Sequence, residues 1–421
     1  MGKINLISVN MGYGHQRTAY PLKSLACGGE VIQANDYPGI PEKDRKTWKG
    51  ARMFYEAVSR FKRVPLVGGL AFSLFDQFQK IFSFYPKQDS SKSNFQLRQI
   101  YFLIKNGWGK DLVEKCKIRG DRMPFVSTFF TPAFMAEFFD YPGDIFCIVC
   151  DADVARTWAP LNPSKSRIKY FAPNVRVVDR LRLYGVKENN IFLTGYPLPV
   201  ELTGGKNMEI LKENLRSRLL NLDPQKKYCQ PYASLIKAHL GEMPRKSSRP
   251  LTIMFAVGGA GAQKEIGVKI VKSLDREIKS GTIKVILVAG VKKKIREYFR
   301  KNTSGLNVEI IFREKVEDYF QSFNLALSQT DILWTKPSEL SFYSALGLPV
   351  VVAPPIGSQE EFNKRWLLKS GFGLAQGNPS HIRQWLFDWI DRGYLAEAAM
   401  QGFIEGEKLG TIKIKNIVEA Q

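Results

Sequence analysis

Short apolar runs of strand length alternate with amphipathic helical stretches from one end of this chain to the other, and that alternation leaves few folds open. A chain patterned in this way buries its strands between helices on both faces, as parallel α/β sheets do. The runs at 3–9, 124–128, 145–150, 167–171 and 190–193 form one series, and those at 251–257, 283–289, 308–312, 332–334 and 349–353 form a second. Between the two series, residues 201–249 turn charged and helical, closing on Pro244-Arg245-Lys246-Ser247-Ser248-Arg249-Pro250. The pattern predicts two facing Rossmann-like α/β domains with a central cleft. Their expected bounds are 1–200 and 250–400, joined by a helical linker over 201–249 and followed by a tail over 401–421 able to pack back on the first domain.

The 421 residues suffice for two or three domains at about 150 residues each, and 44% hydrophobic with 12% aromatic content is a globular composition. The formal charge is +22, and residues 51–120 carry 13 basic against 5 acidic side chains, so about a third of the excess sits in a sixth of the chain. That balance calls for an acidic partner: nucleic acid, an anionic membrane or a phosphorylated small molecule. No nucleic-acid recognition motif is present, which sets that class aside. Five scattered cysteines fit a reducing compartment. The first ten residues lack the charged and apolar regions of a signal peptide, and no apolar run approaches the roughly 20 residues that span a bilayer. The expectation is a cytoplasmic protein whose membrane contact, if any, is peripheral at the inner face.

Two glycine turns carry the chemistry. Gly258-Gly259-Ala260-Gly261-Ala262-Gln263 follows the first strand of the second series and opens a helix. Glycine there lets backbone N–H groups approach a phosphate, and the helix N-terminus favours the negative charge. Lys264 stands where a dinucleotide fingerprint has its third glycine, and no acidic residue ends the next strand, which argues against NAD. Gly12-Tyr13-Gly14-His15 ends the first strand of the chain. His15 there serves either as a general base toward a substrate hydroxyl or as a helix-capping residue. Three polar clusters fall at strand ends that lead into helices: one around Lys336, Ser338 and Glu339, one at Gly347-Leu348-Pro349, and one around Gln359 and Asn363. Small and hydroxylic residues at such places present donors to phosphates and sugars. No metal site is expected: Cys147 and Cys150 point to opposite faces of one strand, and Asp151-Ala152-Asp153 has no third ligand nearby.

Together these motifs resemble the two-Rossmann (GT-B) glycosyltransferases, and in particular the monogalactosyldiacylglycerol synthase and processive diacylglycerol glucosyltransferase family. In the first half the resemblance rests on Gly12-Tyr13-Gly14-His15, residues 151–158, Pro173-Asn174, Tyr184-Gly185-Val186 and Thr194-Gly195-Tyr196-Pro197. In the second it rests on the Gly258 turn, Thr335-Lys336, Gly347-Leu348-Pro349 and Gln359 with Asn363. It implies metal-independent transfer from a nucleotide-activated sugar, with UDP as the expected carrier, to a lipid or membrane-borne acceptor. Gly259, Gly261 and Gln263 would cradle the diphosphate. Lys336, Ser338, Glu339 and Gln359 would reach its phosphates or sugar, and Phe312 with Arg313 would hold the base. His15, with Asp151 as second candidate, would be the catalytic base, and Gly14, Arg156 and Trp158 would face the acceptor. The chain departs from the family in carrying Ser344 where a ribose-binding glutamate is usual and Arg156 where a histidine is usual. Those departures keep open a catalytically silent nucleotide-sugar-binding protein with a partner subunit, as well as an enzyme for a soluble acceptor.

Residues 70–85 place Phe72, Phe75, Phe78, Phe82 and Tyr85 on one helical face, flanked by Arg60, Lys62, Arg63, Lys87 and Lys92. Such a helix either faces the core or docks on an anionic membrane.

Overall fold

A computed structural model of the chain describes residues 3–61, 81, 84–120, 122–258 and 261–420. Strand β1 (Ile4–Ser8) is buried along its whole length, which requires strands on both sides and helices on both faces. Its neighbours are β2 (Ala26–Gln33) and β3 (Phe125–Ser127), and the sheet continues through β4 (Ile145–Ile148), β5 (Lys169–Ala172) and β6 (Ile191–Leu193) in the order β2-β1-β3-β4-β5-β6. The second sheet has β7 (Leu251–Ala256), β8 (Ile283–Gly290), β9 (Glu309–Phe312), β10 (Ile332–Thr335), β11 (Val350–Val352) and β12 (Gly373–Ala375) in the order β12-β11-β10-β7-β8-β9. Every pairing in both sheets is parallel. From β7 the second sheet grows outward through β8 and β9, then restarts at β10 on the other side, as dinucleotide-binding Rossmann sheets do. The molecule thus contains two Rossmann-like α/β domains.

The chain divides into one unit of residues 1–197, 356–362 and 409–421 and a second of residues 198–355 and 363–408. The stretch 201–249, expected to be a linker, is part of the second unit. Helix Glu209–Leu222 buries Leu211, Leu215, Leu219 and Leu222, a spacing of three and four that sets them on one face. Its Arg218 is buried and donates to the carbonyls of Thr330, Leu346 and Gly347 at 2.8 to 2.9 Å. Burial pulls that guanidinium down to about 10. The C-terminal helix Gly410–Glu419 belongs to the first unit, where Ile414 and Val418 join the core around Ile4, Leu6, Leu22 and Phe171.

Pro21 ends the first helix, Tyr13–Ala19, and the chain continues as a 3₁₀ stretch, Tyr20–Leu25, with the proline in its opening turn. Of the expected amphipathic helix over 70–85, residues 70–80, 82 and 83 lie outside the described residues, while Ile81 is buried and Tyr85 exposed. No described helix is long and apolar enough to cross a membrane.

Candidate functional site

In an open parallel sheet, loops at the carboxyl ends of the strands part company where the strand order reverses, and ligands bind in that crevice. In the first sheet the reversal lies between β1 and β3, and in the second between β7 and β10. Sequence-singled residues stand at both places.

His15 lies in the first turn of helix Tyr13–Ala19, just beyond β1, and its Nδ1 is 2.7 Å from the carbonyl oxygen of Thr128, just beyond β3. A carbonyl oxygen only accepts, so Nδ1 carries a proton, and in the neutral ring the lone pair is then on Nε2. The Cys150 Sγ is 3.4 Å from the same nitrogen, and the imidazole edge packs on Phe129 with centroids 4.8 Å apart. Gly14 precedes it, its carbonyl accepting from the Thr18 hydroxyl at 2.8 Å. Asp151, half-buried, follows β4.

The segment 151–158 corrects two expectations. Arg156, expected to contact the acceptor, is buried and donates from all three guanidinium nitrogens to the carbonyls of Ser91, Ala159 and Pro160. Burial is the main influence on it and lowers its pKa. Trp158, expected beside it, is 2% exposed, packs edge-on against Phe130, and offers its carbonyl to the Tyr170 hydroxyl. The rest of the segment is tied to helix Val175–Leu183 and its ends. Asn174 donates to the Ala152 carbonyl at 3.1 Å, Arg180 grips Asp153 through two bonds of 2.8 Å, and the Tyr184 hydroxyl donates to the Val154 carbonyl at 2.8 Å. The physical reason is that a loop buried this deeply must satisfy its carbonyls internally. These side chains therefore close on the protein's own loop.

In the second sheet, the Thr335 hydroxyl donates to the Ala256 carbonyl across the reversal at 3.1 Å. Lys336 follows, and its methylenes lie over Gly258. A Cβ added to Gly258 would coincide with that chain and stand 3.1 Å from its Nζ. Gly261 has φ of +70°, and its N–H donates to the Gly258 carbonyl at 2.7 Å, closing a tight turn that favours glycine. Gly259 lies outside the described residues. Gln263, expected at the diphosphate, instead donates its Nε2 to the Pro354 carbonyl at 2.8 Å and caps helix Lys264–Ser273 with φ of +65°. Ser338 precedes the 3₁₀ stretch Glu339–Leu346, and Glu339 opens it half-buried. Ser344 lies within that stretch, buried, its hydroxyl donating to the Ser341 carbonyl. Phe312 ends β9 with the Arg296 guanidinium 4.6 Å above its ring, and Arg313 donates back to the Phe312 carbonyl at 2.8 Å. The guanidinium already covers that face of the ring, so a base would have to compete for it. Gln359 is half-buried in the first turn of helix Ser358–Lys369.

Lys292, at the end of β8, runs its stem along Gly261, with Cδ 3.2 Å from where a Cβ would stand. It opens the run Lys292-Lys293-Lys294, which follows Gly290-Val291. No group of three or more metal-ligating side chains occurs among the described residues.

A family model described as a domain of unknown function (DUF6938) matches residues 242–321, the part of the chain that holds β7, β8 and β9. No curated protein matches. Among solved structures, the chain is similar to the glycotransferase of kitacinnamycin at 14% identity, with 100% of this chain and 99% of that chain covered and a TM-score of 0.49. It is similar to UDP-GlcNAc 2-epimerase from Neisseria meningitidis bound to UDP-GlcNAc at 15% identity, with 83% and 87% covered and a TM-score of 0.46. It is also similar to MurG of Acinetobacter baumannii at 13% identity, with 78% and 79% covered and a TM-score of 0.44.

Proposed function

We propose that this chain is a glycosyltransferase of the GT-B type, which moves a sugar from a nucleoside diphosphate, with UDP the expected carrier, to an acceptor hydroxyl. The observation that supports it is the placement of base-type and anion-binding chemistry at the two strand-order reversals: His15 with its lone pair on Nε2 at one, and Lys336 lying on Gly258 at the other. In this reading the acceptor oxygen forms the new bond to the anomeric carbon as the bond from that carbon to the diphosphate oxygen breaks. The acceptor proton passes to a general base, for which His15 is the candidate in the first unit, and the departing diphosphate carries its electron pair toward positive charge, for which Lys336 is the candidate in the second. Positive charge from lysine serves where other transferases use a divalent cation, so the reaction is proposed to run without metal. Glu339, Ser338 and Gln359 remain the proposed sugar and ribose contacts.

The acceptor we propose is a lipid hydroxyl reached from the inner face of the cytoplasmic membrane. Supporting this, helix Phe95–Lys105 in the basic aromatic segment turns Phe95 and Phe102, 58% and 62% exposed, to the same side as Arg98 and Lys105. Aromatic rings among basic residues suit the boundary between headgroups and acyl chains. The silent-binder alternative is favoured by Ser344, whose hydroxyl is turned into the core.

Labelled UDP-glucose, UDP-galactose and UDP-N-acetylglucosamine, incubated with the protein and anionic vesicles containing diacylglycerol, test the proposal. Transfer to lipid is the expected result. Slow hydrolysis alone points to a soluble acceptor, and binding without any turnover sinks the enzyme in favour of the silent binder. A Gly258→Val variant should push the Lys336 chain aside and weaken UDP binding by about tenfold or more, the scale of a lost charge-assisted contact, with an unchanged melting curve. Calorimetry showing wild-type affinity for UDP in that variant would remove this turn as the donor site.

A further inference from the structure

We propose that Arg176 anchors a phosphate-binding site in the first unit, one that needs no nucleotide and stands apart from the donor turn. Helix Val175–Leu183 follows β5 at the carboxyl edge of the first sheet, where the neighbouring β4 leads into Asp151. Arg176 stands in the first turn of that helix, and its guanidinium lies over the Phe84 ring, 3.8 Å from the centroid. A guanidinium held flat on a ring points its N–H groups outward along its edges, where they need acceptors. Among the described residues no acceptor meets them, and Nη1 is sealed from solvent without a partner. A charged donor left unpaired out of water is costly, so such an atom in a native fold points to an acceptor that the protein does not itself supply. Arg176 as a whole is only half-buried, which leaves a ligand a way in.

The charge around the ring is unbalanced in the same direction. The Arg180 guanidinium stands 5.1 Å and the Lys87 ammonium 5.4 Å from the same centroid, so three cations gather on Phe84. Asp153 satisfies Arg180 through two bonds. Arg176 and Lys87 have no carboxylate partner among the described residues. Three cations against one carboxylate leave an excess of two positive charges, and a phosphate monoester brings about two negative ones. The planar fork of Arg176 suits two phosphate oxygens at once, and Lys87, exposed on a flexible stem, adds a point charge. A phosphate here belongs either to a lipid headgroup or to a soluble ester, and the chemistry that recognises it is the same.

Two assays on the full chain test this: calorimetric titration with inorganic phosphate and glycerol 3-phosphate, and sedimentation with phosphatidylcholine vesicles with and without phosphatidic acid. The variants are R176M, R176Q, R176K and, as a control at an exposed lysine of the same unit, K187M. Arg176→Met and Arg176→Gln should lower affinity by about tenfold or more, while Lys187→Met leaves it unchanged. Arg176→Lys keeps a cation over Phe84 but loses the fork, so it should fold as wild type does and still bind more weakly. Arg176-dependent binding of the soluble phosphates alone supports the site and assigns it to a soluble ester. Arg176-dependent sedimentation with phosphatidic acid supports it and assigns it to a lipid headgroup. The site is refuted if R176M, R176Q and R176K bind as wild type does, if wild type binds neither kind of probe, or if K187M loses as much as R176M, which would leave only the general positive charge of the chain. Melting curves of each variant separate binding from folding. No nucleotide enters these assays, so their failure leaves the donor reading standing, and a failure to bind UDP leaves this site standing.

Discussion

Turnover should fall by about 10²-fold or more when His15 is replaced by alanine, the range expected for a lost general base, with little change in melting temperature. The imidazole is half-buried, so its removal leaves no sealed cavity, although the Thr128 it engages is itself buried at the end of β3. His15→Asn separates chemistry from structure. An asparagine Nδ2 can occupy the place of Nδ1 and donate to the Thr128 carbonyl, but it offers no lone pair where Nε2 stood. If the ring only ties helix Tyr13–Ala19 to the end of β3, His15→Asn restores turnover. If it is the base, His15→Asn melts like wild type and stays as slow as His15→Ala. Single-turnover measurements with saturating donor give the answer, because they isolate the chemical step from product release.

How much of this was legible in the sequence depended on what each residue's surroundings had to be. The central strands β1, β4, β7, β8, β10 and β11 are buried on both faces and read as unbroken apolar runs, so their positions were visible to within about two residues. Two edge strands were not. In β2, Gly28 and Gly29 have φ of +64° and +67°, its register against β1 shifts, and residues 28–30 face solvent, so the stretch reads as a turn. The other, β12, is three residues long and pairs only with β11. The glycine turn and Lys336 became candidates because strand ends in parallel sheets are where ligands bind. Lys292 stands in a triplet of lysines that looks uniformly solvated, and only its stem's packing beside Gly261 and its partial burial set it apart from its neighbours. Residues 151–158 misled for the opposite reason. An arginine and a tryptophan in a family-like motif suggest a ligand, but the same polar atoms can close on main-chain carbonyls, and here Arg156 does so.

That closure makes the second large effect one of stability. Arg180→Met should destabilise the protein by about 3 to 5 kcal/mol, because it leaves the buried Asp153 carboxylate without its partner. Both side chains are nearly inaccessible, and two bonds of 2.8 Å join them. Burial alone would pull the guanidinium down, yet the Asp153 carboxylate holds it above the usual arginine value. The carboxylate also accepts from the Val154 N–H at 2.9 Å, so the pair sets the path of the chain between Asp151 and the Arg156 turn. Its loss should loosen the segment beside His15 as well as lower the unfolding midpoint. The double variant Asp153→Leu with Arg180→Met removes both charges together and should recover a large part of the loss, since an ion pair replaced by apolar groups often costs little. Denaturant unfolding of the two single variants and the double closes the cycle. Single-variant losses that simply add in the double would mean that the two side chains act independently, and that the bidentate contact is not what holds this loop.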